Sequence, residues 1–304
     1  MARSAPMRAL VADLKRYARA DANVLVVGAT GTGKDLVART LHALGPRRRH
    51  PFVTVDCPGL PASLLEAELF GHERGAFTDA TAARPGRFEL AGRGTIYLDR
   101  VDELPLEAQS KLLRVVEQKQ VERIGSGAAI PVHARVVASA SDGIERAVRE
   151  GRFRADLYHR LRVLPLRVPR LADRNGDLPV LVRHLLAELA GSRRRVPTVT
   201  SEALELLGRC EWAGNVRELR HVLERTLLDL QGPVLRAEDL PADLVAPERI
   251  ASGEGPERPT LAALERRYIE FVLRETRGNQ SRAATILGIS RKALWEKRRR
   301  YGLD

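Results

Sequence analysis

Cysteine and long apolar runs are what this 304-residue sequence has little of. Its two cysteines, Cys57 and Cys210, lie far apart without a CxxC spacing, which favours two reduced thiols in a cytoplasmic protein over a disulfide framework. No run approaches the roughly 18 apolar residues that a membrane-spanning helix needs, so we expect no membrane partner. Residues 1–25 mix acids into a helical apolar pattern, which is unlike a secretory signal peptide.

Negative charge is also in short supply. The chain has 51 Lys and Arg against 39 Asp and Glu, a formal net charge of +12. Arginine supplies most of the excess, and its planar guanidinium suits phosphate-bearing partners. A solvated basic surface has the same composition, so charge alone leaves nucleic-acid binding open.

Short apolar runs alternate with amphipathic helical patterns through residues 1–170. This alternation predicts an α/β core in which helices cover both faces of a parallel sheet. Five apolar runs predict the buried strands: 23–29, 51–56, 94–99, 134–140 and 161–169.

The rest of the chain changes character twice. Residues 173–235 carry only helical patterns, residues 242–259 are rich in Pro, Gly, Ser and charge, and a small helical unit follows. We therefore expect an α/β core, a helical region, a linker and a small terminal domain, at 1–172, 173–241, 242–259 and 260–304.

The segment GATGTGKD follows the first predicted strand and opens a helix. Its glycines allow the backbone to curl so that N–H groups face phosphates, while Lys34 reaches the outer phosphates and the helix N-terminus attracts negative charge. The segment therefore predicts a nucleotide phosphate loop. Its expected nucleotide contacts are Gly28, Thr30, Gly31, Thr32, Gly33, Lys34, Asp35 and Leu36.

A second nucleotide element is the apolar strand GTIYLD, which ends in Asp99. An acid in this position holds the Mg²⁺ shell through water. Asp35 stands where the general phosphate-loop motif has a Ser or Thr that meets Mg²⁺. We therefore expect ATP or GTP with Mg²⁺ as cofactor, and Asp35 and Asp99 as the metal-side residues.

Five segments occur in a characteristic order: GATGTGKD, ELFGHERGAFTDA, GRFELAGRGTIYLD, FRADLYHRL and WAGNVRELRHVLER. Together they resemble the sigma-54-dependent transcription activators, also called bacterial enhancer-binding proteins. The resemblance covers nearly the whole chain, and the GAFT loop is its most specific part. It implies a fold with an AAA+ P-loop parallel-sheet core, an α-helical lid and a separate C-terminal Fis-type helix-turn-helix domain.

The resemblance also implies an ATP-driven homo-oligomer, from a dimer to a hexameric ring, with nucleotide bound between neighbouring subunits. Arg154 and Arg160 match the arginine fingers that reach a neighbour's phosphates and stabilise developing charge. Arg217 matches the lid arginine that contacts nucleotide in its own subunit. In the GAFTDA loop, Phe77 and Thr78 match the pair that engages sigma-54. The whole loop comprises Gly75, Ala76, Phe77, Thr78, Asp79 and Ala80, with Asp79 where the family usually has Gly.

The hydrolysis machinery departs from the family. Arg100 occupies the position of the usual Glu, and a guanidinium cannot accept a proton. Asp56 replaces the Asn expected to contact that Glu, so the two changes together predict an Arg100–Asp56 salt bridge. Ser141 replaces the usual sensor Asn, and Asp102 replaces a usual Gly, which makes Asp102 a candidate substitute base. Loss of a positioned base costs about 10²–10⁴ in rate, so we expect weak or absent hydrolysis.

The C-terminal segment NQSRAATILGISRKALWEKRRRYGL predicts two short helices around a tight turn, with Ser281 and Ser290 as N-caps and Gly288 as the first helix's end. Residues 260–304 contain 11 Lys and Arg against 5 Asp and Glu, which favours double-stranded enhancer DNA as a partner. Arg298 falls where the family usually packs a Leu. The expected DNA-contacting residues are Ser290, Arg291, Lys292, Trp295, Lys297, Arg298 and Arg299.

Three functions stay open on the sequence alone. The first is an activator that binds enhancer DNA and remodels the sigma-54 RNA polymerase holoenzyme with ATP. The second is a regulator that binds ATP and DNA without turnover and co-assembles with an active homologue. The third, an AAA+ machine for other DNA-bound targets, is disfavoured by the Phe77–Thr78 loop. The input signal is expected from a separate protein or from an N-terminal domain that this sequence does not include.

Overall fold

Five parallel strands form one sheet in the computed structural model, which describes residues 3–59, 61–77, 80–191, 195–241, 244, 261–276 and 279–303. Across the sheet, the strands lie in the order 52–56, 95–99, 135–140, 24–27 and 164–167. Each neighbouring pair is parallel. All five strands predicted from the sequence are therefore confirmed. The strands are β1 (Val24–Val27), β2 (Phe52–Asp56), β3 (Gly71–His72), β4 (Arg84–Pro85), β5 (Thr95–Asp99), β6 (Gln120–Glu122), β7 (Ala129–Pro131), β8 (Arg135–Ala140), β9 (Leu164–Arg167), β10 (Thr198–Val199) and β11 (Val234–Leu235).

Helices cover both faces of this sheet, as the strand–helix alternation predicts. The helices are α1 (Ala5–Ala18), α2 (Lys34–Leu44), α3 (Ala62–Phe70), α4 (Arg87–Ala91), α5 (Leu106–Gln118), α6 (Ile144–Arg149), α7 (Ala155–Leu161), α8 (Leu178–Ala190), α9 (Ser201–Arg209), α10 (Asn215–Asp229), α11 (Leu261–Glu275), α12 (Gln280–Leu287) and α13 (Arg291–Tyr301). The chain divides into two compact units, Met1–Asp239 and Leu240–Asp304.

The core of the first unit follows from the alternation of side chains along each strand. Leu25, Ile96 and Leu98 point to one face and pack with α3, α4, α5 and α7. Their neighbours Val24 and Tyr97 point to the other face and pack against α1 and α2. Because both faces of the three central strands β1, β5 and β8 are buried, these strands are mostly apolar, which is why the sequence shows continuous apolar runs there.

The carboxyl ends of parallel strands lie along one edge of the sheet. The loop after β1, Asp99 at the end of β5 and Ser141 after β8 therefore meet at this edge. The fold thus brings together the segments that the sequence assigns to the nucleotide site.

Helices α8, α9 and α10 form the lid region within the first unit. Thr200 caps α9 by accepting a hydrogen bond from the Ala203 backbone N–H. The expectation of helices alone between 173 and 235 is wrong in one detail, because β10 and β11 pair in parallel at Thr198–Val234 and Val199–Leu235. Two residues per strand are too few for a period-2 pattern to be visible in the sequence.

The second unit contains α11, α12 and α13 around a small apolar core of Ile269, Val272, Ala283, Ala284 and Leu294. Of the linker predicted at 242–259, all but residue 244 lies outside the described residues.

The turn between α12 and α13 matches the predicted helix-turn-helix in two of three caps. Gly288 ends α12 in the left-handed region at φ 66°, and Ser290 caps α13 by accepting from the Ala293 N–H. The predicted cap Ser281 is wrong, because Asn279 accepts the hydrogen bond from the Arg282 N–H and α12 begins at Gln280. Asn is as good an N-cap as Ser, so composition does not choose between them.

Asn215 joins the lid to the core. Its Oδ1 accepts from the Leu171 N–H at 2.8 Å and its Nδ2 donates to the Thr30 carbonyl at 3.0 Å. The residue is buried and adopts φ 54°, a conformation that Asn tolerates better than most residues. One side chain therefore joins the phosphate loop, the segment before the lid and the first turn of α10.

Asn215→Ala is expected to lower the free energy of unfolding by about 1–3 kcal/mol, because one buried and one partly buried backbone group lose their partners. Urea unfolding followed by circular dichroism measures it. The matched control is Asn23→Ala, which removes one exposed hydrogen bond to the Arg160 carbonyl and should cost under about 0.5 kcal/mol. Equal unfolding curves for the two variants would contradict this role of Asn215.

Candidate nucleotide site and output loop

The phosphate loop connects β1 to α2 through two glycines with positive φ. Gly31 has φ 77° and Gly33 has φ 100°, values that residues with a Cβ rarely adopt. A Cβ on Gly33 would meet nothing within 4 Å, so its requirement is conformational. Lys34 opens α2, and its Nζ donates to the carbonyls of Gly28 and Ala29 at 2.7 and 3.2 Å.

The first turn of α10 lies against this loop. A Cβ on Gly31 would come within 2.1 Å of the Gly214 carbonyl oxygen, and the Val216 N–H donates to the Gly31 carbonyl at 3.0 Å. The same hypothetical Cβ would be 3.1 Å from the Cβ of Arg217. Arg217 is therefore beside the phosphate loop, as predicted for a lid arginine.

Arg174 also contacts this loop and was not identified from the sequence. It is buried, and its Nη2 donates to the Thr32 carbonyl at 3.2 Å. Burial lowers the pKa of the guanidinium, and the nearby Asp177 carboxylate opposes that shift. Asp177 in turn accepts from the hydroxyl of Ser4. The sequence gives no signal for this arrangement, because Arg174 looks like any other arginine in a basic chain.

Asp99 ends β5 and is held by two hydroxyl donors. Tyr97 Oη donates to Asp99 Oδ1 at 2.9 Å, and Ser139 Oγ donates to the same oxygen. Tyr97 and Ser139 are fully buried. Neither was identified as a site residue, because a Tyr inside a strand is most often core.

Arg100 forms the predicted salt bridge with Asp56. Its Nη2 is 2.8 Å from Asp56 Oδ1, and its Nη1 is 3.6 Å from Glu103. Arg100 adopts the left-handed conformation at φ 58°, and its backbone N–H donates to Ser139 Oγ at 3.0 Å. The predicted contact is confirmed, and it brings the ends of β2 and β5 together at the site's edge.

Asp102 and Ser141 form a second polar pair. The hydroxyl and the backbone N–H of Ser141 both donate to Asp102 Oδ2. The other carboxylate oxygen, Oδ1, is buried and has no hydrogen-bond partner among the residues that the structure describes. A buried, unpaired carboxylate oxygen is costly, which makes it a natural acceptor for a ligand or a water proton.

The electrostatics of Lys34 show which groups surround it. Burial lowers the pKa of its ammonium, while the carboxylates of Asp99, Asp102 and Asp142 oppose that shift and Arg217 adds to it. Asp142 was not predicted from the sequence as a site residue. Its carboxylate lies 3.8 Å from Arg167 and 3.9 Å from Arg170. The lysine, these three carboxylates and Arg217 therefore form one charged cluster at the carboxyl edge of the sheet.

The donor chemistry of this cluster fits Mg²⁺ bound together with a polyphosphate. Mg²⁺ prefers oxygen ligands and keeps several waters, so one or two carboxylates suffice beside phosphate oxygens. Asp99 supplies carboxylate oxygen and Asp102 supplies the unpaired buried one. Asp35 pairs with Arg39 at 2.9 Å, and its metal role stays a prediction. Within the described residues, no group of three or more His, Cys, Asp and Glu forms a metal site by itself.

The two predicted finger arginines are on the surface of the first unit. Arg154 precedes α7 and pairs with Asp156 at 2.7 Å, while Arg160 pairs with Glu117 at 2.8 Å. The two arginine side chains are 41% and 62% exposed, which leaves them accessible to a neighbour's phosphate. Their action in trans stays a prediction.

The GAFTDA segment follows β3 as a closed loop. Gly75 has φ 81°, and its N–H donates to the Ala80 carbonyl at 2.8 Å. Phe77 is 36% exposed and its ring lies 4.9 Å from that of His72. Thr78 and Asp79 lie outside the described residues.

A charged network fixes the base of this loop. Arg123 donates to Glu73 at 3.0 Å and pairs with Glu89 at 2.7 Å, while Glu89 also accepts from the Gly86 N–H. Glu73 follows β3 just before the loop, Glu89 is on α4 after the loop, and Arg123 directly follows β6. Arg123 was not identified from the sequence.

In the second unit, four of the predicted DNA-contacting side chains are exposed on α13: Arg291, Lys292, Trp295 and Arg299. Two others are engaged within the unit. Lys297 pairs with Glu265 of α11, and Arg298 Nε donates to the Leu303 carbonyl at 3.0 Å. Contact of these residues with DNA stays a prediction.

Three family models match the chain in succession. A sigma-54 interaction domain matches residues 1–167, an AAA+ ATPase lid domain matches 172–255, and the Fis family of bacterial regulatory proteins matches 260–301. The chain belongs to the sigma-54-dependent transcriptional activators. Its AAA+ core, lid and Fis-type helix-turn-helix domain are those that the sequence motifs imply.

Among relatives of this activator, AtoC of Escherichia coli is 40% identical over 99% of the chain and 67% of its own length. HyfR of the same organism is 40% identical over 99% of the chain but 47% of its own length. The structure of NtrX from Brucella abortus in complex with ATP has a TM-score of 0.74 and 33% identity, and covers 99% of this chain and 69% of that one. The activator sequence therefore spans only part of each relative.

No helix in the described part of the activator is long and apolar enough to cross a bilayer.

Glu89 should make stability pH-dependent. The hydrogen bond from Arg123 lowers the pKa of Glu89, although burial opposes that shift. The stabilisation that this hydrogen bond gives the folded state is fully present above the ordinary glutamate pKa of about 4.3. It is lost as the pH falls through the lowered pKa of Glu89 in the folded protein. Glu89→Gln should therefore lower stability at pH 7 by about 1–3 kcal/mol and flatten its loss between about pH 5 and 3.

Thermal unfolding across this pH range measures both effects, with the exposed Glu224→Gln as the control. Stability that falls equally with decreasing pH in wild type and in Glu89→Gln would show that the hydrogen bonds do not stabilise the ionised carboxylate of Glu89.

Proposed function

We propose that this activator binds Mg·ATP at the carboxyl edge of its sheet, binds enhancer DNA through residues 260–304, and engages the sigma-54 polymerase holoenzyme through the GAFTDA loop. The observation that supports it most is the cluster around Lys34, where a phosphate loop, Asp99 and Arg217 lie together. The NtrX structure, a relative solved with ATP, supports the same nucleotide.

Each residue of the site has a role in this proposal. Lys34 and the backbone N–H groups of residues 28–34 bind phosphate oxygens. Asp99 and Asp102 hold the metal's water shell, and bound Mg²⁺ neutralises phosphate charge. Arg217 contacts the bound nucleotide and couples it to the lid, because its helix α10 is hydrogen-bonded to the phosphate loop through Asn215. Arg154 and Arg160 contact the phosphates of a neighbouring subunit in a homo-oligomeric ring.

The output surface is the loop around Phe77. A large aromatic side chain that is 36% exposed is a suitable anchor for a protein partner. Its base is fixed by the Arg123 network, so movement of that base moves the whole loop. The two partners of Arg123 lie on either side of the loop.

The DNA-binding surface is the exposed face of α13. Arg291, Lys292 and Arg299 surround Trp295, and the Arg299 guanidinium lies 5.6 Å from the Trp295 ring centroid. Basic side chains on the second helix of a helix-turn-helix suit phosphates and groove edges.

A second candidate function rests on the Arg100–Asp56 ion pair. In it, the activator binds ATP but does not hydrolyse it in isolation, and it acts by co-assembling with an active homologue. Arg100 is a permanent cation where the family has a base, and its guanidinium is held by Asp56 at 2.8 Å. Turnover by the wild type would instead require another base in place of Arg100, and Asp102, which accepts a hydrogen bond from the Ser141 hydroxyl, is the candidate for that role.

Thr78→Ala is expected to reduce capture of purified sigma-54 at least about tenfold in the presence of an ATP transition-state analogue. A tenfold loss corresponds to about 1.4 kcal/mol, which is the size expected if Thr78 belongs to the small set of interface residues that carry most of the binding energy. Thr81→Ala, three residues further along the sequence at an exposed position, is the matched control and should capture sigma-54 as wild type does. Capture of sigma-54 by Thr78→Ala at the wild-type level would overturn the proposed output loop.

Arg100→Glu combined with Asp56→Asn is expected to raise ATP turnover at least about 10²-fold over wild type, because it supplies a proton acceptor and removes its charged neighbour. Arg100→Glu alone should raise ATP turnover by a smaller factor, because Asp56 would then repel the new carboxylate. The control is Arg93→Glu, which makes the same charge change at another exposed arginine. Fast turnover by wild type, abolished by Asp102→Asn, would reject the second candidate and identify Asp102 as the base.

A further inference from the structure

We propose that Tyr97 and Ser139 are positioning residues for the divalent metal of the bound nucleotide, acting through the carboxylate of Asp99. The inference rests on the Mg·ATP binding proposed above and assigns the two buried hydroxyls that the phosphate-loop motif does not include.

The geometry converges on a single oxygen atom. Tyr97 is on β5 two residues before Asp99, so its side chain and that of Asp99 lie on the same face of the strand. Ser139 is on the neighbouring strand β8. Both hydroxyls donate to Asp99 Oδ1, from Tyr97 at 2.9 Å, and neither donates to Oδ2. The carboxylate is thus fixed from one side.

Packing alone does not require the phenol oxygen. Phenylalanine fills the same space, and burying a hydroxyl without a partner costs free energy. Tyr97 is fully buried, and its ring stacks 6.0 Å from that of Phe52. The hydroxyl's described partner is the carboxylate of Asp99.

Ser139 connects the same carboxylate to Arg100. Its Oγ donates to Asp99 and accepts from the Arg100 backbone N–H at 3.0 Å. Arg100 has φ 58°, so this hydrogen bond helps to hold a backbone conformation that a side chain disfavours. Ser139 therefore fixes both the metal-side acid and the residue that follows it.

Metal-binding carboxylates depend on such outer donors. Partners that orient a ligating group typically change metal affinity by about 10–100-fold when removed. Because two hydroxyls donate to Oδ1 of Asp99, Oδ2 is the oxygen that would accept hydrogen bonds from the metal's water shell. Loss of either hydroxyl frees the carboxylate to rotate, and Mg²⁺ then has to order it on binding.

The test is the Mg²⁺ dependence of nucleotide affinity in the full chain. Binding of a fluorescent ATP analogue is titrated across Mg²⁺ concentrations and in EDTA, for wild type, Tyr97→Phe and Ser139→Ala. Each variant should need about tenfold more Mg²⁺ for half-maximal enhancement of binding. Affinity in EDTA should stay within about twofold of wild type. Tyr158→Phe is the matched control, because it removes a hydroxyl that donates to Glu145 at 3.0 Å.

Equal Mg²⁺ requirements for wild type and both variants would overturn the inference. So would an equal loss of affinity with and without Mg²⁺, which marks a structural role. Mn²⁺ bound with ATP gives a second readout by electron paramagnetic resonance: weaker Mn²⁺ retention in Ser139→Ala supports the inference even if Tyr97→Phe folds poorly. Failure of wild type to bind the analogue at all would instead overturn the proposed function.

Discussion

A parallel sheet puts the carboxyl ends of all its strands along one edge, and the site of this activator depends on that constraint. Along this edge lie the phosphate loop after β1, Asp56 at the end of β2, Asp99 at the end of β5 and Ser141 after β8. Lid helix α10 then closes on the phosphate loop through Asn215. The topology concentrates charged side chains along this edge. A charge-changing substitution at the end of one strand therefore alters the electrostatic environment at the ends of its neighbours.

Arg100 illustrates this dependence. Its ion pair with Asp56 leaves the two side chains 42% and 53% exposed, and exposed ion pairs contribute only about 0–1 kcal/mol to stability. The pair therefore matters less for holding the fold than for which chemistry the edge supports. We propose that a permanent cation, at the position where the family resemblance implies a proton acceptor, alters the chemistry of the site at little cost to the fold, while Asp56 balances its charge.

The sequence was enough to predict the five strands, the phosphate loop, the helix-turn-helix and the Arg100–Asp56 contact. These predictions succeeded because they rest on local periodicity, on glycine chemistry, or on two departures that complement each other in charge. The roles of Asn215, Arg174, Tyr97 and Ser139 were not predictable. They depend on which side chains the tertiary packing brings within hydrogen-bond reach, and a buried Tyr or Ser in a strand has the same pattern whether or not it serves a site. Asn279 displaced Ser281 as a cap because both residues satisfy the same local rule.

The central claim is that this activator retains ATP binding at an edge where Arg100 has replaced the base. Single-turnover measurement tests it most directly: purified wild-type protein in excess over radiolabelled ATP and Mg²⁺ is quenched over time, and bound ATP and ADP are separated. The account predicts bound ATP that is recovered intact over many minutes. Conversion of the bound ATP to ADP within seconds, at a rate unchanged by Arg100→Glu, would contradict it.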